Sequence, residues 1–393
     1  MIVATKYKLC FFSAMMIFFL ALAGCGDSNS PEQLAYAHGL GLDYEDGKVK
    51  VHLQLLNLGA LAKTEGGGGD VSSQSTSELA TASGKILDEA IFNLYRSAQH
   101  EIFWGNLSHI VLTERFLSEY GLGPVIDMWS RFPEARYQIK FYSTNDKVEE
   151  ILLTDPVMDV SKSLSLLATP ESASKQNTLV SFVNLRKILM ELKEPNYLAR
   201  IPSIFVVGET WKTPEKKRPF VALNGLTLYD RKKRFLGTVE GKHIEGYRWT
   251  IEKFDRAPVI LDTDGEAIGS IVVQKKKVKI TPKPKSDHVK FHMKIKAEGH
   301  IAEIDKKVAI QTIERRAAKK IKQQVLQTYR EALKVHPDAD VYRLSETLYR
   351  NDVKAWKKLS KKGKLDLQQD SLQVDVEVTI MDSWRDHMSR FLE

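Results

Sequence analysis

The chain has 393 residues, 43% hydrophobic and 27% charged, with 58 lysines and arginines against 50 acids for a net charge of +8. That is ordinary globular material, long enough for two or three domains with real cores. The basic excess is mild and comes with no nucleic-acid-binding motif, so nucleic acid is not the expected partner.

The first 24 residues carry Lys6 and Lys8, an apolar stretch from Leu9 to Leu22, and the small pair Ala23-Gly24 before Cys25. This is the layout of a secretory signal. The run is shorter than the roughly 20 apolar residues a spanning helix needs. Leu22-Ala23-Gly24-Cys25 looks like the bacterial lipobox, in which the thiol is alkylated with diacylglycerol and becomes the new N-terminus. Two acyl chains, at about 0.8 kcal/mol per buried methylene, hold a protein on a bilayer where one would not. An uncleaved anchor and an ordinary secreted protein are the alternatives. Cys10, the only other cysteine, lies in the segment that would be removed. Cleavage would therefore leave neither a free thiol nor an internal disulfide.

Residues 40–57 read as two strands around an Asp-Gly turn, with Val49, Val51, Leu53 and Leu55 alternating with polar neighbours. The glycine run in 64–77 has nothing to bury and reads as a mobile loop. Leu79, Ser83, Ile86, Ala90 and Leu94 predict a helix over 77–99. A buried strand at 109–112, a helix over 122–132 and a strand over 136–144 follow, the alternation of an α/β or α+β domain. Residues 159–177 are polar, 178–192 predict a helix, and 201–209 a strand. From Phe220 the texture changes to short strands, including HIEGYRWTIE (243–252). A long hairpin is expected from 266 to 304, with Pro282 and Pro284 in its turn. A helix over 305–336 places Ile313, Ala317, Ile321, Val325 and Tyr329 on one stripe. A second helix over 339–360 and an alternating strand, 372–382, close the chain.

The fold class is accordingly α+β, in a lipid-anchored soluble ectodomain. The boundaries read as 1–24 for the signal, 25–200 for an N-terminal mixed unit, 201–270 for a small β-rich middle unit and 271–393 for a C-terminal α+β unit. Basic stretches at 274–285, 314–324 and 354–364 read first as solvated faces. On a tethered protein they could also meet anionic head groups.

Sites for chemistry are weak. There is no G-x-S-x-G and no H-E-x-x-H, and Ser83-Gly84-Lys85 lacks the upstream glycine of a P-loop. The glycines at 66–69 do not open onto a helix. Asp262 to Glu266 resembles the start of a calcium loop without its later ligands, and a hairpin turn explains it equally. His288 and His292 would stand about 13 Å apart on a strand, too far for one metal. His100 and Glu101 near Trp104 could form a polar pocket or simply end a helix. No enzyme, cofactor or metal is expected.

Several stretches together resemble one family, the Ger(x)C lipoproteins, which are the C subunits of nutrient germinant receptors in endospore-forming bacteria. The likeness runs through the lipobox, AYAHGLGLDYEDGKVKVHLQLLN, the 84–142 segment with Phe103-Trp104-Gly105-Asn106 and Arg131-Phe132-Pro133-Glu134-Ala135-Arg136, and 219–241. It continues through the basic hairpin and 339–359 to the final strand. It departs at Gly26-Asp27, where the family has an aromatic after the cysteine, and at the glycine run. The resemblance implies a non-catalytic subunit of three mixed α/β-type domains, lipidated on Cys25, on the outer surface of the spore inner membrane. Its partners would be polytopic A and B subunits, with nutrient binding assigned to B, so no small-molecule ligand is expected here. A lipid-anchored solute-binding protein of an importer is the rival, and an anchored hydrolase a third class.

Overall fold

Asp46 and Gly47 both sit at positive φ, 53° and 73°, as a two-residue type I′ hairpin turn requires. They join β1 (Leu34–Glu45) to β2 (Lys48–Leu56), where sequence placed the first hairpin. The structure, a computed structural model, describes residues 34–56 and 77–381, apart from 133, 135, 158–159, 195–197, 213–216, 231–233, 264–265 and 305–307. Cys25, Cys10 and the glycine run lie outside the described residues.

The fold is mixed α/β. The first sheet has the order β3-β2-β1-β5-β6-β7-β8-β9. It uses β3 (Ser77–Gly84), β5 (His109–Thr113), β6 (Lys140–Thr144), β7 (Leu198–Lys212), β8 (Lys217–Asp230) and β9 (Phe235–Glu240), and β4 (Glu101–Phe103) pairs with the start of β1. The centre of the sheet is parallel and both flanks are antiparallel. One face carries α1 (Leu87–Tyr95), α2 (Glu114–Glu119), α3 (Gly123–Arg131) and α6 (Leu185–Lys193), whose apolar residues share a core with Leu40, Leu42 and Val51. The other face carries α4 (Val148–Leu153), packed with Val111, Tyr142 and Ile204. A short helix, α5 (Glu171–Gln176), lies between α4 and α6 in the chain.

The second sheet, β10 (Ala257–Thr263), β11 (Glu266–Pro284), β12 (Val289–Ile304) and β13 (Leu372–Ile380), is antiparallel except for its last pair. The long helix α7 (Ile310–Val335) buries Ile313, Ala317, Ile321, Val325 and Tyr329, the stripe read from sequence. These residues share one core with the second sheet and with Leu226, Leu228 and Val239 of β8 and β9. Residues 201–270 thus supply strands to both sheets.

Several elements differ from expectation. Residues 77–99 are not one helix but strand β3 followed by α1. The strand pairs along its length with β2, and a Cβ at Gly84 would lie 2.4 Å from the Ala90 nitrogen, so glycine lets α1 fold back on it. Residues 241–250 form a 3-10 segment instead of a strand. Here Gly246 lies against the α7 main chain, and the Trp249 indole donates to Gln324 Oε1 at 3.0 Å, so packing overrides the local pattern. Pro282 and Pro284 lie within β11, and the turn is 285–288, closed by Lys285 N–H to the His288 carbonyl at 2.8 Å. Beyond Val273 this strand has no β10 neighbour, which is where a proline is tolerated. The last helical region divides into α8 (Leu344–Asn351) and α9 (Val353–Leu359). Asp352 ends the first and caps the second, accepting from Ala355 N at 2.9 Å.

Candidate functional site

Of the motif residues that carry the family resemblance, Phe103, Trp104, Gly105 and Phe132 pack, while Asn106, Arg131, Glu134 and Arg136 are exposed. Trp104 and Trp129 lie 5.3 Å apart between ring centroids, each against Phe132, and Trp104 Nε1 donates to the Tyr95 hydroxyl at 2.8 Å. Gly105 is small because a Cβ would strike the Phe103 ring at 2.5 Å. His100 and Glu101 are exposed while Trp104 is buried, so the three do not form a pocket.

The other sequence candidates resolve singly. The Lys85 N–H is taken by the Glu89 carboxylate at 2.6 Å, leaving no anion cradle at Ser83-Gly84-Lys85. Asp262 accepts from Lys320 at 2.5 Å, beside the turn of the β10–β11 hairpin. His288 pairs with Asp287 and His292 with Asp375, at 2.7 and 2.6 Å. Among the described residues no group of three metal-binding side chains comes together.

Two arrangements were hidden from sequence. The first joins the two halves of the chain. Arg200 on β7 is buried and donates to the carbonyls of Leu198, Asp340 and Val341 at 2.7, 2.8 and 3.2 Å. The Asp340 carboxylate accepts from Leu344 N and Ser345 N, capping α8. Burial pushes its pKa up, while those two N–H groups and Arg200 pull the other way. Next to it Arg343, left-handed at φ 59°, pairs with buried Glu191 of α6 at 2.5 Å. Asp230, Arg234, Lys364 and Asp338 form a second charged clasp, with Asp230 opposite Leu198 in the β7–β8 register.

Beside the first clasp opens a groove of about 980 Å³, walled by Lys140, Lys187, Tyr247, Ile280, Tyr342 and Arg343 among others. Burial holds the Lys187 amine below its usual range, partly offset by Glu191. No histidine or cysteine is among the described residues lining it, and Ser181 meets only the Tyr247 hydroxyl, at 3.3 Å. Ser174, which also lines it, donates its hydroxyl to the Asp255 carboxylate at 3.1 Å. Its walls mix charged and apolar side chains.

The second arrangement is a buried polar cluster in the first sheet. The His38 and His109 rings meet edge to face at 5.3 Å. Lys162, also buried, donates to the carbonyls of Leu152, Leu153 and Thr154 and pairs with Asp155 at 3.1 Å. Burial holds His38 down to about 4, and His109 well below its usual value. Both are neutral structural side chains at ordinary pH.

A family model described as the spore germination protein N-terminal domain matches residues 27–206, and one described as spore germination B3/GerAC-like, C-terminal, matches 224–383. The putative spore germination protein YfkR of Bacillus subtilis (strain 168) is 22% identical over 293 residues, 72% of each chain. Spore germination protein A3 of the same organism is 23% identical over 295 residues, 74% of this chain and 73% of its own. The crystal structure of the GerBC protein superposes with a TM-score of 0.54 at 16% identity, covering 89% of this chain and 99% of that one. That last likeness is one of fold.

Proposed function

The chain belongs to the GerAC-like spore germination family, whose N- and C-terminal domains follow in order along it, and from that premise we propose that it is the C subunit of a nutrient germinant receptor. The observation that carries the reading is this succession of both domains across most of the sequence. The subunit acts without catalysis, as a folded ectodomain required for receptor assembly with polytopic A and B subunits. A lipid on Cys25 holds it on the outer surface of the spore inner membrane. Among the described residues no helix is long and apolar enough to cross a membrane, which agrees with anchoring by a lipid. The solute-binding alternative is not favoured, since both family models that match the chain describe spore germination proteins.

The test is Cys25→Ala in spores. We expect the chain to leave the membrane fraction and the nutrient response to fall, with the A and B subunits lost from its pull-down. Normal membrane retention and normal germination at normal protein level would overturn the anchored-subunit reading. Intact mass of native protein gives the direct check, since a chain starting at diacylglyceryl-Cys25 is expected.

A further inference from the structure

Side chains on β11 and β12 alternate between the two faces of the second sheet. The inner set, among them Val278, Ile280, Phe291, Met293 and Ile295, belongs to the core shared with α7. The outer set is largely lysine. Register places Lys283 opposite Lys290, Lys279 opposite Lys294 and Lys277 opposite Lys296. Like charges directly opposed across a sheet destabilise it, so the fold carries three such pairs on one bare face.

The β12 side of this face is answered from within. Lys296 and Lys294 reach Glu377 at 3.2 and 4.0 Å, and Lys290 reaches Asp370 at 3.1 Å. The β11 side is not. Lys275, Lys277, Lys279 and Lys283 are exposed and, among the described residues, make no ion pair. They run along roughly 26 Å of strand at about 3.3 Å per residue. Edge lysines also deter strand addition, but that role does not call for lysines opposed in pairs.

We propose that this face is a docking surface for the anionic head groups of a phospholipid bilayer. It is an extended strand surface, and besides lysine its outer positions from Lys275 to Lys283 and from Lys290 to Glu298 hold only Thr281, His292 and Glu298, with no Leu, Ile, Val, Met, Phe, Tyr or Trp among them. Protein partners depend on such side chains as buried anchors, whereas head groups need only charge, each lysine raising partitioning roughly fivefold. The proposal rests on the receptor reading in one respect, that a lipid-tethered chain would use this face to set its orientation on the bilayer.

The experiment compares binding of the full chain to phosphatidylcholine vesicles and to vesicles one-third phosphatidylglycerol, at low and high salt. Three proteins are used: the natural chain, a variant with Lys275, Lys277, Lys279 and Lys283 all changed to Gln, and a control with Lys354, Lys357, Lys358 and Lys361 changed to Gln. The natural chain and the control should prefer anionic vesicles by on the order of 10²-fold, a preference lost at high salt. The sheet variant should lose most of it. No anionic preference in the natural chain, or its full retention in the sheet variant, overturns the proposal. An unlipidated chain would bind neutral vesicles weakly yet keep its anionic-to-neutral ratio, so loss of the anchor is read separately from loss of this surface. The sheet variant should also unfold at a higher denaturant midpoint, because opposed charges are relieved, and a lower midpoint would contradict the claim that the lysines oppose folding.

Discussion

The guanidinium of Arg200 donates to the main-chain carbonyl of Asp340 at 2.8 Å, across 140 residues of sequence and from the first sheet to the loop before α8. With Leu198 and Val341 it gives three buried carbonyls one shared donor group. Replacement by methionine keeps the bulk and strands all three acceptors. Because an unsatisfied buried polar group costs about 1–3 kcal/mol, Arg200→Met should lose at least about 3 kcal/mol in equilibrium urea unfolding. Arg200→Lys should recover little, since a point-charge ammonium cannot reproduce the fork. A loss under about 1 kcal/mol would mean that the halves are held elsewhere.

The neighbouring pair, Glu191 and Arg343, should respond unequally. The Glu191 side chain is 3% exposed and that of Arg343 32%. Removing the arginine leaves a buried carboxylate without its main partner, while removing the charge on Glu191 leaves a cation that can reach water. Arg343→Asn, chosen because asparagine tolerates the left-handed backbone, should therefore cost more than Glu191→Gln. A double-mutant cycle should return a coupling on the order of 1 kcal/mol. Equal single effects with no coupling would show that the contact is incidental.

Sequence pattern revealed the elements whose periodicity is uninterrupted and whose register is local. The Asp46-Gly47 hairpin, the α7 stripe from Ile313 to Tyr329 and the alternation from Leu372 to Ile380 each need only their own residues to be recognised. Residues 77–84 failed because Leu79 and Ser83 mimic helical spacing, while the deciding partner, β2, ends about twenty residues earlier in sequence. The 241–250 segment failed because its conformation depends on Gly246 meeting α7 nearly 80 residues later. The same distance in sequence hid the groove and both clasps, whose members, such as Lys187 and Arg343, carry no motif. The lysine-rich hairpin was visible as composition; that its lysines stand opposed in pairs on one face is a matter of register, which the structure supplies.

Stability should fall on mild acidification. His38 has its folded pKa lowered from 6.5 to about 4, mainly by burial. Below the unfolded value the unfolded chain takes up a proton that the fold refuses, so the stability present above 6.5 is lost as pH falls from 6.5 toward 4. For His38 alone the loss between about pH 7 and pH 5 comes to roughly 2 kcal/mol. His109, shifted in the same direction by burial and by the charges near it, adds to this. Urea midpoints measured across this range should drop for the natural chain, and His38→Gln should flatten the profile. An unchanged slope in that variant would assign the acid sensitivity to other groups.

Gly41 sets how closely α4 can lie on the first sheet. A Cβ there would fall 1.9 Å from Val148 Cγ1 and 3.1 Å from Leu152 Cδ1, so Gly41→Ala forces α4 outward. Overpacking of this kind costs about 1–3 kcal/mol. Val148→Ala alone removes apolar bulk from a site that is 1% exposed and should cost about 2 kcal/mol through the cavity it leaves. Combining the two places the new methyl in the space the valine vacates. The double variant should therefore be more stable than the sum of the single effects by at least about 1 kcal/mol, read from denaturation midpoints at constant slope. Strict additivity would mean that α4 does not pack on Gly41.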